Sequence, residues 1–263
     1  MTYHNSKASC EGLITPAALR AKGAASDASS RHAFDLAMPL HDGRERPFSP
    51  RPLSHREFKA CDVYRFVSPK ENRPVDVCGP FQFGFRLCLE FDSQVTAVTE
   101  RPRKLIVGGK PVELSFWWRE RSGRERFALL VPDPDTLPGT DGKRRPRQLE
   151  RLMSAADEAN IHLQFITEPE LTERSARVEL YYQLLPFVQS AGELRSGLVL
   201  RREVLSVISL YPRVRVEQVV HELARFSQAQ IHIVIAELFY LGAIETDASA
   251  RLQNESLVWR APA

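Results

Sequence analysis

The chain has 263 residues, 43% of them apolar, and a net charge of +3. That is enough to build one large domain or two ordinary ones around proper cores, and too weakly basic to indicate a nucleic-acid partner by charge alone. No apolar run reaches the roughly 18 to 20 residues of a bilayer span, and the opening MTYHNSKASCEGLITPAAL lacks a secretory pattern, so no membrane partner and a soluble protein of the cell interior are expected.

Residues 1–55 are rich in Ala, Ser, Pro, Arg and His, with little apolar periodicity, and predict a flexible arm. From about residue 60 the pattern changes. FQFGFRLCLEF (81–91) is dense enough in apolar residues for a buried helix, although Gly84 weakens it. RKLIVGGKPVELSFWW predicts two strands around the Gly108-Gly109 turn, and RFALLV predicts a continuous buried strand. DPDTLPGTDGKRRP is thick with Pro, Gly and Asp and predicts an irregular loop. RQLERLMSAADEAN predicts an amphipathic helix burying Leu149, Leu152, Met153 and Ala156, and IHLQFIT predicts a further strand. This α/β unit, spanning residues 56–172, would have a sheet coverable on both faces. Cys10, Cys61, Cys78 and Cys88 show no paired spacing, which predicts thiols and neither a zinc knuckle nor a disulfide framework. Trp117 and Trp118 are adjacent on a strand and must face opposite ways; one is expected in the core and the other to pack at an edge, with stacking on a base or partner as the alternative.

Residues 173–263 are helical in period and end in a two-stranded tail, the parts of a winged helix-turn-helix. Ser227 is the expected N-cap of its third helix and Gly242 the expected stop. If Ile231, Ile235, Leu238 and Phe239 face the core, then Gln228, Gln230 and His232 face outward as the DNA-reading surface. Residues 201–263 balance seven arginines against seven acids, so a protein partner for this domain stays open. His221 and His232 lack a recurring ligand partner and predict a surface pair.

Positive charge gathers elsewhere. Arg101, Arg103, Lys104, Arg119, Arg121, Arg124 and Arg126 crowd one section, and Lys143, Arg144, Arg145 and Arg147 follow. Of these, Arg119, Arg121, Arg124, Arg126, Lys143, Arg144 and Arg145 are the candidate phosphate contacts.

Two stretches carry a family resemblance: RPVDVCGPFQFGFRLCLEFDSQVTAVTERP (73–102), with its helix ending in LEFD, and IHLQFITEPEL (161–171), with its strand ending in a Thr-acid pair. With the winged-helix pattern after them, they resemble TnsA, the endonuclease subunit of heteromeric cut-and-paste transposases. The resemblance implies an α+β protein: a restriction-endonuclease-like α/β domain followed by a winged helix. It also implies a bacterial, nucleoid-associated setting and, as partners, DNA, an integrase-type transposase subunit and an ATPase regulator. Such a nuclease holds magnesium with carboxylates and steadies the attacking water with a lysine. On the family pattern, those positions fall at Gln82, Ser115, Leu130 and Pro132, none of which can carry a charge. The expectation is a degenerate subunit with no metal cofactor. Two alternatives stay open: an active magnesium-dependent endonuclease using relocated acids, Glu113 and Asp133, and a winged-helix transcriptional regulator.

Overall fold

The computed structural model describes residues 46–139, 142–195 and 197–262. Most of the predicted arm, with Cys10, therefore lies outside the described residues. Residues 46–54, counted with the arm from sequence, pack on the folded body: Phe48 meets Trp117 and Phe127 edge-on at 5.8 and 5.5 Å, and Leu53 is buried.

Ser54 caps α1 (His55–Ala60) through a reciprocal box with Glu57. β1 (Val63–Ser68) and β2 (Arg73–Cys78) form an antiparallel hairpin that turns Phe66, Val75 and Val77 inward. Beside it Cys61 and Cys78 are joined as a disulfide, their Cα atoms 5.8 Å apart. This corrects the expectation of thiols: a separation of 17 residues carries no motif, and only the fold of the hairpin brings the two together.

α2 (Gly79–Phe91) starts with Pro at its first turn, where a missing N–H costs nothing. β3 (Val95–Glu100) follows, then the hairpin of β4 (Lys104–Val107) and β5 (Lys110–Glu113). Its Gly108 and Gly109 have φ of 56° and 78°, the left-handed pair that a two-residue turn demands. The second strand expected after the glycine turn is split in two, β5 pairing with β4 and β6 (Phe116–Glu120) joining the main sheet beside β7 (Glu125–Val131), the buried strand expected from RFALLV. The segment expected to be irregular holds a 3-10 turn at Asp133–Asp135 and a small hairpin, β8 (Thr136–Pro138) with β9 (Arg144–Pro146). Three-residue strands are too short to show alternation in sequence. In α3 (Leu149–Glu158) the buried residues are Leu152, Ala155 and Ala156, while Met153 is exposed. The expected stripe is thus rotated, and two alanines allow close approach to the sheet.

β10 (Leu163–Thr167) pairs parallel with β7, and the order β10-β7-β6-β3 is antiparallel elsewhere. One face buries Phe116, Trp118 and Ala128 against Phe85 of α2; the other buries Trp117 and Phe127 against α3 and β4. Both tryptophans are core, at 0% and 5% exposure, which removes the stacking role left open for one of them.

α4 (Glu168–Thr172) and α5 (Ser175–Ser190) come next. α5 runs through Pro186 despite the lost backbone donor, held by buried Leu180, Leu184, Leu185 and Val188. Gly84 is explained here: a Cβ would lie 3.1 Å from Leu171 and 3.4 Å from Val178, so glycine lets α2 approach α4 and α5. The chain continues through α6 (Gly197–Ser209), β11 (Val214–Arg215), α7 (Val216–Glu222), α8 (Gln228–Tyr240), β12 (Ile244–Thr246) and β13 (Leu257–Arg260). Ser227 caps α8, and Gly242, at φ 71°, follows its end. The expected two-stranded tail gains β11, giving the order β11-β13-β12.

α8 serves two cores. Ile231, Ile235 and Leu238 pack with α6, α7 and β13, while Ala236 and Tyr240 join the core of α2, α5 and the sheet. Among the described residues, the chain is a mixed α+β protein with eight α-helices and five small sheets, none closed into a barrel. No described helix is long and apolar enough to cross a membrane.

Candidate functional site

The four positions that the family pattern assigns to cation chemistry lie around the N-terminal end of α2 and along β6 and β7. Cys78, the N-cap of α2, makes no side-chain cap, and its own N–H is met by Gln82 Oε1 at 3.3 Å. Ser115, just before β6, meets Leu130 of β7, whose N–H donates to Ser115 Oγ at 2.9 Å. Leu130 is buried, and Pro132 lies just beyond the strand, where the parallel ladder has ended at Val131 and Thr167. An amide, a hydroxyl, an alkyl chain and a proline supply no net charge to a dication.

Glu113 and Asp133, the acids of the relocated-site alternative, each meet a protein cation. Arg51 grips Glu113 through Nε and Nη2, each at 2.5 Å, and reaches Glu57 at 2.8 Å. The guanidinium, with Ser54, holds the Glu57 carboxyl well below the usual range. Asp133 lies 3.0 Å from Arg144, and its N–H donates to Glu168 at 3.1 Å. Among the described residues, no three His, Cys, Asp or Glu side chains are grouped so that they could hold a metal ion.

The C-terminal half of α2 is the opposite case. Arg86 and Glu90 are fully buried and bonded to each other at 2.7 Å. Glu90 also accepts from Ser68 Oγ at 2.7 Å, Lys70 N–H at 2.9 Å and Tyr240 Oη at 2.8 Å. Arg86 Nε donates to Glu100 at 2.9 Å, which takes a second bond from Arg73 at 2.8 Å. Burial pushes the Glu90 carboxyl up, but Arg86 and Lys70 overcome it and leave it below its ordinary value. Burial drives Lys70 down to about 8, and burial together with Glu90 raises the Tyr240 phenol well above its ordinary value.

This network also closes a sheet edge. β3 is the outer strand, and the turn between β1 and β2, with the first residue of β2, supplies side chains in place of a neighbour. Glu71 Oε1 accepts from Val98 N–H at 2.8 Å, Arg73 donates to Val98 O at 3.0 Å, and Lys70 Nζ donates to Val95 O at 2.6 Å. Backbone groups left open there would invite strand addition. Sequence reasoning passed over this cluster; the available signal was Arg86 and Glu90, four apart within an apolar helix.

The predicted phosphate contacts divide. Arg119 is 6% exposed, bonded to Glu125 at 3.2 Å and stacked 5.2 Å from the Trp117 ring. Arg126 pairs with Glu120 at 2.6 Å across the same hairpin. Arg121 and Arg124 are exposed at its turn, although Arg121 Nε donates to Ser93 O at 2.7 Å. Lys143 and Arg145 are exposed on the β8–β9 hairpin, and Arg144 is turned to Thr136 and Asp133. Arg101, with φ 50°, is buried and ties Arg51 O to Asp76 O. On α8, Gln228 is exposed and bonded to Asn254 at 3.2 Å, and Gln230 completes the cap with Ser227. His232 is half-buried with Nε2 lacking a partner among the described residues, and burial lowers its pKa.

Comparison with protein-family models finds no match, and comparison with curated proteins finds none.

Proposed function

We propose that the chain is a DNA-handling subunit of a TnsA-like transposition assembly, built on a nuclease frame that no longer holds a catalytic cation. The observation that carries this reading is the order α2, β3, β6, β7, α3, β10 around one mixed sheet, with uncharged Gln82, Ser115, Leu130 and Pro132 at the family's ligand positions. Helices α6 to α8 with the β11-β13-β12 sheet support the winged-helix part. Chemistry would come from an integrase-type partner, while this chain contributes contacts through the exposed cations of the two hairpins, Arg121, Arg124, Lys143 and Arg145. Phosphate contacts give a steep salt dependence.

Anisotropy of a fluorescein-labelled duplex of about 30 base pairs, titrated with the full chain at two salt concentrations, tests the reading. Binding that weakens steeply with salt is expected. An affinity for DNA that is absent at low salt would overturn it. Tight binding to one short site by the chain alone would favour a transcriptional regulator instead.

A further inference from the structure

A cleft of about 540 Å³ opens between the sheet, the C-terminal half of α2 and the start of α5. Its floor is apolar, made by Phe85, Leu89, Trp118 and Ile166; its rim carries Arg126, Arg174 and Arg177. Three arginines, Arg126 from β7 with Arg174 and Arg177 at the start of α5, face two acids, Glu120 and Asp92, and both acids are already occupied: Glu120 by Arg126 and Asp92 by the N–H of Gln94. Arg177 spends Nη1 on Ala248 O, and its guanidinium lies 5.0 Å from the Phe239 ring. Arg174 is exposed, and neither it nor the Gln164 amide has a side-chain hydrogen-bond partner among the described residues. The rim thus offers donors in excess of acceptors above an oily floor, at a volume within the range of ligand sites, about 300 to 1,000 Å³.

We propose that this cleft binds a short acidic peptide segment with an apolar anchor, supplied by a partner protein. Charge complementarity selects a carboxylate for the arginine rim, where forked guanidinium donors suit it. The floor selects a Leu or Phe side chain beside that carboxylate. A nucleic-acid backbone would use the arginines and leave the apolar floor empty, whereas a peptide fills both. The inference stands apart from the DNA-handling reading and survives its failure.

The test is anisotropy of a fluorescein-labelled peptide, GDFELEG, titrated with the full chain. The neutral peptide GNFQLQG and a labelled oligo-dT run beside it. Saturable binding of the acidic peptide is expected, weakened on the order of tenfold or more by neutralising it or by Arg174→Glu, with Arg174→Lys in between. Arg174 is exposed, so the charge reversal should leave the thermal midpoint in place, which circular dichroism checks. A benzophenone-bearing version of the peptide should crosslink within residues 85–92 or 174–181. Equal affinity for both peptides, indifference to Arg174→Glu, or crosslinks elsewhere would overturn the proposal. Tighter, Arg174-dependent binding of oligo-dT would replace it with a phosphate site.

Discussion

The two ends of α2 treat charge in opposite ways. At its start, where the family resemblance calls for carboxylates around a metal, the chain has Gln82 on the helix, with Ser115, Leu130 and Pro132 at the other positions of the pattern, and the polar atoms of Gln82 and Ser115 bond to the backbone. Toward its end, with no ligand implied, Arg86 and Glu90 are fully buried and joined to Glu100, Arg73, Lys70 and Tyr240. Charge has been kept where it ties the β1–β2 hairpin, the sheet and α8 together. Each of these buried charges is neutralised by its neighbours, and removing one strands another.

The contrast is broken most forcefully at the buried end. Glu90→Ala should destabilise the chain by about 3 to 5 kcal/mol, because Arg86 would be left underpaired in the core. Gln82→Ala at the other end should cost about 1 kcal/mol, the worth of a helix cap. Urea unfolding of the two variants compares the ends directly, and equal losses would contradict the account.

Next in size is the disulfide that fastens the start of α2. A loop of 17 residues predicts that Cys61→Ser lowers stability by about 3 kcal/mol under oxidising conditions and has little effect in reductant. Equal effects in both would mean that the pair is not bridged.

Lys70 sharpens the comparison through pH. Its folded pKa, about 8, is below the ordinary lysine value, so between about 8 and 10 the unfolded chain binds more protons than the native one. Stability contributed by this group should therefore rise as pH increases across that window, by about 3 kcal/mol at most, and be lost again as pH falls through 8. The gain should vanish in Lys70→Met. Above about 10 the raised phenol of Tyr240 opposes it, since the native chain then keeps a proton that the unfolded chain loses.

The smallest effect belongs to the surface. Arg124→Ala should leave stability within about 0.5 kcal/mol and, if the hairpin touches DNA, reduce the salt slope of binding by about 1. Arg119→Ala should do the reverse, disturbing folding through Trp117 and Glu125.

Sequence reasoning succeeded where local physics decides. The Gly108-Gly109 pair required a left-handed turn, FALLV could only be a buried strand, and Ser227 to Gly242 bracketed α8 with its own caps. It fell short where partners are distant. Arg119 and Arg126 look like free cations in a linear reading, yet the β6–β7 register places acids beside them. Glu113 looks like a free acid until Arg51, 62 residues away, reaches it. Glu71 and Arg73 give no hint in sequence that they complete the edge of β3, since that role depends on a turn meeting a strand more than 20 residues on. The helical period puts His232 on an outward face, but α8 is packed from both sides and leaves it half-buried.

The most direct measurement of the central claim is nicking of supercoiled plasmid in magnesium and in manganese by the native chain. Beside it runs a variant that carries Gln82→Glu, Ser115→Asp, Leu130→Gln and Pro132→Lys together. The account predicts that the native chain leaves the plasmid intact and that nicking emerges only in the variant. Metal-dependent nicking by the native chain, abolished by Glu113→Ala, would contradict it.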